Sequence, residues 1–149
     1  MKIVHLAVAA AAIAVAAGAA VLTAGQPEVA PTVAYTLLHG SQHRSDALRG
    51  KVVLVNFWAT SCTTCVKEMP ELVATHQKYQ TRGYETLSVA MSYDPVAYVN
   101  NFAQSRQLPF RVTHDASGDI ARQFGKVQIT PTTFVLNKRG EIVKRYVGE

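Results

Sequence analysis

Cysteine and tryptophan are scarce: the 149 residues contain two cysteines and one tryptophan. Two cysteines cannot build a disulfide framework, so they form one disulfide, remain two free thiols, or supply half of a metal site. Structural zinc wants about four ligands, and no second ligand pair stands at a recognisable spacing, which argues against it. Charge is thin at 17% Asp, Glu, Lys and Arg, and the net +5 is scattered, with no basic run beyond pairs such as Lys138-Arg139. A solvated basic surface follows rather than a nucleic-acid face. There is no internal repeat, and no low-complexity tract beyond an alanine-rich leader. The length suits one domain with its own core and leaves no comfortable room for a second.

The one long apolar run, Leu6 to Ala24, follows Lys2 and reads as an export segment. It is either a signal cleaved near Thr23-Ala24-Gly25 or an uncleaved anchor; a length close to the roughly 20 residues of a membrane-spanning helix favours the anchor. The expected organisation is a signal peptide or signal-anchor helix over 1–25, a linker over 26–34 that holds Pro27 and Pro31, and a folded domain over 35–149. Both outcomes place the domain outside the cytoplasm, in the periplasm or cell envelope. The anchor would tether it to the inner membrane. An oxidising compartment lets a disulfide persist.

Both cysteines and the tryptophan fall within one stretch, Phe57 to Pro70. Upstream, Val52 to Phe57 is apolar and β-branched, as suits a strand covered on both faces. Downstream, Val66, Met69, Leu72, Val73, His76 and Tyr79 recur at helical spacing, with Gly83 available as a terminator. Cys62 and Cys65 then lie about one turn apart at the head of that helix, within reach of one disulfide. Glu68 falls a further turn along on the same side, and Pro70 should kink the helix.

The rest of the chain alternates. Tyr35 to Leu38 predicts a short strand, Ser45 to Gly50 a helical turn, and Thr86 to Met91 a strand. Asp94-Pro95 reads as an N-cap and first helical residue, opening a helix to about Arg106. Phe110 to Thr113 predicts a strand, and Ser117 to Phe124 a helix closed by Gly125. Thr132 to Leu136 and Glu141 to Tyr146 flank the hairpin turn Asn137 to Gly140. The prediction is an α/β fold with a mixed sheet. Of the histidines, His76 should pack, His39 and His43 lie in a turn, and His114 lies at the surface.

Four features together, Phe57-Trp58-Ala59-Thr60, Cys62-Thr63-Thr64-Cys65, Glu68 with Pro70, and Thr130-Pro131-Thr132-Thr133-Phe134, resemble the thioredoxin superfamily. They are most similar to its extracytoplasmic, membrane-tethered thiol-disulfide reductases of the TlpA/ResA type, from about Tyr35 to Gly148. The resemblance implies a thioredoxin-like fold with helices on both sides of a central sheet. It also implies an inserted strand and helix supplied by Leu87 to Arg106, and a cis bond before Pro131 set against the disulfide. The chain departs from the pattern at Asn56, where cytoplasmic thioredoxins carry a buried aspartate, and at Ser61, where a tryptophan is common. It also ends at Glu149, where the family continues with a closing helix, so that helix is expected to be missing.

Cys62, favoured as a thiolate by the helix N-terminus, is the expected nucleophile, and Cys65 the resolving thiol. Glu68 is the candidate to accept the Cys65 proton. Thr130 and Pro131 are the expected substrate-binding residues, with Trp58 half-buried beside them and a lesser candidate for substrate contact. No cofactor is expected beyond the redox-active Cys62–Cys65 pair, and no metal. The resemblance implies exported disulfide proteins such as apocytochrome c as substrates. The expected partners are an upstream membrane electron donor and, through the leader, the membrane, with no nucleic acid. The alternative is a copper(I) chaperone or metal-delivery module using the same two thiolates. A peroxidase wants a proline- and threonine-marked motif before its cysteine, where this chain has Val55 and Ala59.

Overall fold

The computed structural model describes residues 27–148. The leader expected over 1–25 lies outside them; among the described residues no helix is long and apolar enough to cross a membrane. In chain order the elements are β1 (Ala34–Thr36), β2 (Gln42–Arg44), β3 (Val52–Trp58), α1 (Thr63–Tyr79), β4 (Tyr84–Ala90), α2 (Val96–Ser105), β5 (Arg111–His114), α3 (Asp119–Gln123), β6 (Thr132–Leu136) and β7 (Ile142–Val147). Short 3-10 turns occupy Ser45–Leu48 and Gln80–Arg82.

β3 sits at the centre of a five-stranded sheet of order β5-β4-β3-β6-β7. Its pairing with β4 is parallel and with β6 antiparallel, which makes the mixed sheet that the alternation of strands and helices predicts. α1 continues past Pro70 and ends before Gly83, whose φ of +81° is the left-handed conformation that stops a helix cheaply only at glycine. The β6–β7 hairpin closes as expected: Asn137 accepts from Gly140 N–H at 2.9 Å, and its side chain accepts from Arg139 N–H at 2.9 Å.

Three placements differ from the sequence reading. Leu87 belongs to β4, the strand paired directly with β3, so the unit added at the sheet edge is α2 followed by β5 rather than Leu87 to Arg106. The stretch expected as a linker packs on the domain: Ala30 N–H donates to Gly140 O at 2.9 Å, Ile142 N–H to Glu28 O at 2.7 Å, and Val33 is buried. His114 ends β5 half-buried, with Nε2 enclosed, because its strand position turns it inward.

Each face of the sheet carries a cluster. On one, Val53, Val55, Phe57, Leu87, Val89 and Phe134 pack with Phe124 and Ile120. On the other, Trp58, Ala90 and Val112 pack with Cys65 and Met69 of α1 and Val99 of α2. β7, by contrast, is an exposed outer strand, with Val143 and Tyr146 open to solvent.

Candidate active site

The central strand delivers the cysteines. β3 ends at Trp58, Cys62 N–H donates to Ala59 O at 3.1 Å, and this tight turn sets Cys62 at the N-cap of α1. There the Cys62 Sγ accepts the Cys65 N–H at 3.2 Å. The two sulfurs are joined in a disulfide with the Cα atoms 5.2 Å apart. Cys62 is half-buried whereas Cys65 is only 2% exposed, so an incoming partner meets Cys62 first. On reduction, the same N–H and the aligned peptide dipoles of a 17-residue helix favour negative charge on Cys62.

Cys65 is buried with Met69, Trp58, Val99, Phe110 and Val112. Trp58 is fully buried, correcting the half-buried expectation: Phe102 of α2 lies over its ring at 5.1 Å. It therefore packs behind the dithiol and offers no surface to a substrate. Glu68 is half-buried on α1, one turn beyond Cys65. Asn56, also buried, donates through Nδ2 to Thr133 Oγ1 at 3.0 Å.

The Thr130–Pro131 bond is cis, and Pro131 is buried. The antiparallel register pairs Thr132 with Phe57, so one step further sets Pro131 beside Trp58 at the cysteine end of the sheet. Gly148 N–H donates to Pro131 O at 2.8 Å, and Thr132 Oγ1 donates to Ile129 O at 2.7 Å, fixing the strand's entry. Thr130 is partly exposed, with its Oγ1 3.3 Å from the Tyr93 hydroxyl.

Two residues at this end escape the sequence reading. Asp94 does not cap α2: the N-cap is Pro95, with no side-chain capping bond. Its carboxylate instead accepts from Thr60 N–H and from Thr60 Oγ1, each at 2.6 Å. Tyr93, beside it, is the exposed partner of Thr130. An Asp-Pro pair before a helical pattern gives only the local signal of a cap, so nothing in the sequence points to a partner 34 positions away.

His76 is buried where α1 meets β4, with Nδ1 3.3 Å from Thr86 Oγ1 and 3.8 Å from Glu85 Oε1. Burial pushes its pKa below the usual 6.5; Glu85 opposes that shift and Lys51 adds to it. It belongs to the packing, as its place on the helical stripe predicts.

An asymmetric cysteine pair at the head of a helix is built to exchange disulfides, and the sheet that presents it has the thioredoxin-like arrangement. The class is thus a thiol-disulfide oxidoreductase. A family model described as Redoxin matches residues 23–149, and the chain belongs to that family. It is 33% identical over 120 residues to the thiol-disulfide oxidoreductase ResA of Bacillus thuringiensis subsp. konkukian, an alignment covering 80% of this chain and 68% of that protein. Among solved structures, a putative thioredoxin from Neisseria meningitidis superposes with a TM-score of 0.76 at 39% identity, over 83% of this chain and 82% of that one. A thioredoxin-family thiol:disulfide interchange protein from Chlorobium tepidum TLS gives 0.77 at 26% identity, over 83% and 88%.

Proposed function

We propose that the chain works as a reductase outside the cytoplasm, passing two electrons from its Cys62–Cys65 dithiol to disulfides of exported proteins, apocytochrome c among them. The observation that carries the reading is the asymmetry of the pair, with an accessible Cys62 on a helix N-terminus and an enclosed Cys65. The Cys62 thiolate attacks one sulfur of the target, the target's other sulfur leaves as a thiolate, and a mixed disulfide forms. Cys65, once deprotonated, attacks the Cys62 sulfur. The second target sulfur leaves, and the enzyme disulfide is restored. Glu68 takes the Cys65 proton, directly or through water, from its half-buried place one turn along α1. The backbone of Thr130, partly exposed at the cysteine end of the sheet, pairs with an extended substrate as an added strand.

Turnover then requires a donor that reduces the Cys62–Cys65 disulfide again. A membrane-embedded dithiol protein is the chemical class that suits it, with the leader holding the domain nearby. No further cofactor is needed for the exchange.

Equilibrating the protein with glutathione buffers and trapping the thiols measures its potential. A potential well below that of the glutathione couple is expected. One near the oxidising end, about −120 mV, would make the protein an oxidant instead. Glu68→Gln should raise the pKa of the Cys65 thiol and slow resolution; unchanged thiol titrations and turnover would remove Glu68 from the mechanism. Tight stoichiometric copper(I) uptake by the reduced protein would favour metal delivery over exchange.

A further inference from the structure

The loop between β4 and α2 touches both halves of the site. Met91 N–H donates to Trp58 O at 2.9 Å, carrying the strand pairing to the end of β3. Asp94 N–H then donates to Met91 O at 3.0 Å, which folds the loop back over the cysteine turn. From there the Asp94 carboxylate takes the Thr60 N–H on one oxygen and the Thr60 hydroxyl on the other. The neighbouring Tyr93 points its hydroxyl the other way, to Thr130 Oγ1, across 37 positions of sequence.

The use of Asp94 is unusual for its position. It is only 2% exposed, and a carboxylate is costly to bury unless its oxygens are bonded. The helix that follows immediately would accept it as a cap, yet both oxygens go to a single residue two positions before Cys62. Hydrogen bonds to a carboxylate are the stronger kind, and two of them from one residue fix orientation as well as distance. Tyr93 contributes a weaker contact at the surface.

We propose that Tyr93 and Asp94 form a clasp that sets the distance between the attacking sulfur of Cys62 and the substrate-pairing backbone at Thr130, so that Asp94 is a positioning residue for extended peptide disulfides. An extended peptide must meet both points at once: its sulfur in line with Cys62, and its backbone against Thr130. A small disulfide meets only the sulfur. Small errors of placement are expensive when two points must be satisfied together. The clasp therefore acts on the preference for peptide over small disulfides. This inference rests on the exchange reading given above.

The test uses the full-length protein, reduced, with two oxidants: a short peptide with one intramolecular disulfide, and cystamine. The readout is the ratio of the two second-order rates. Asp94→Asn keeps the shape but places an amide N–H₂ against a donor of Thr60, and should lower the peptide-to-cystamine ratio about tenfold. Thr60→Val, which deletes only the hydroxyl bond, and Tyr93→Phe should each lower it by about threefold. Thr60→Ser, which keeps the hydroxyl, should restore the wild-type ratio. These milder variants decide the matter if Asp94→Asn fails to fold. A ratio unchanged in all the folded variants, whatever happens to the separate rates, overturns the clasp. Wild-type protein that reduces neither oxidant overturns the exchange reading instead.

Discussion

On one face of the sheet, Val53, Val55 and Phe57 of β3 meet Leu87 and Val89 of β4 in an apolar cluster, with Phe124 and Phe134 set edgewise to Phe57 at 5.5 and 6.0 Å. On the other face, the register brings Leu54, Asn56 and Trp58 alongside Thr86, Ser88 and Ala90. Among side chains of these two strands, the buried polar atoms without a described partner are Asn56 Oδ1, Trp58 Nε1 and Ser88 Oγ, all on this second face. Unpaired buried polar atoms cost stability. Both faces bury apolar side chains, but the first draws only apolar ones from β3 and β4, while the face that carries the dithiol also accepts polar burial. One strand serves both because its side chains alternate.

The widest separation of the two faces should appear with Cys62→Ser. Disulfide exchange should fall by roughly a thousandfold or more, since the one remaining thiol, Cys65, is enclosed and out of a partner's reach. The reduced variant should match reduced wild type in urea unfolding. A large loss of stability in that comparison would show that the faces are not separable in this way. The converse substitution is Phe57→Ala. The ring is wholly buried, and its loss should cost about 3–5 kcal/mol of unfolding free energy. The folded fraction should still exchange disulfides.

Asn56 gives a finer test, because it lies between Val55 and Phe57 but points to the second face. Asn56→Leu removes an amide whose Oδ1 lacks a partner, and releases Thr133, which is only partly buried and can turn to water. Stability should change by no more than about 1 kcal/mol, and an increase is within the expectation. A loss comparable to that of Phe57→Ala would mean that the Asn56–Thr133 bond supports the sheet.

The same contrast explains what could be read from the chain. Val52 to Phe57, the helical stripe after Cys65, and the glycines at 83 and 140 are local signals, and each produced its element. The cysteine pair was legible because three residues of spacing and one helix suffice to bring the sulfurs together. What the sequence hid are contacts between distant segments. Phe102, 44 positions after Trp58 by number, closes over the indole and removes it from the surface. Asp94 looked like a cap because its real partner, Thr60, is reached only when β4 lies beside β3. The stretch 26–34 reads as a linker because Pro27 and Pro31 are visible locally, whereas the pairing of residues 28–30 with the β6–β7 turn is not.

His76 offers the smallest effect and a test of how the second face tolerates its polar groups. It is enclosed by Phe110 and Tyr84, with Thr86 at 3.3 Å and Glu85 at 3.8 Å; Glu85 is itself bridged to Arg111 at 3.2 Å and Lys51 at 3.7 Å. Burial lowers its folded pKa below 6.5, an effect that Glu85 only partly offsets. As pH falls below 6.5, the unfolded chain takes up a proton that the folded one refuses. Stability contributed by the neutral ring is therefore present above that pH and is lost progressively below it. One proton limits the loss to about 0.7 kcal/mol between pH 7 and pH 6. His76→Phe keeps a ring against Phe110 and removes the titration, so its unfolding free energy should vary less with pH over that interval. If the two proteins keep the same pH slope, protonation of His76 is accommodated in the folded state by Glu85, and the second face tolerates charge as well as polarity.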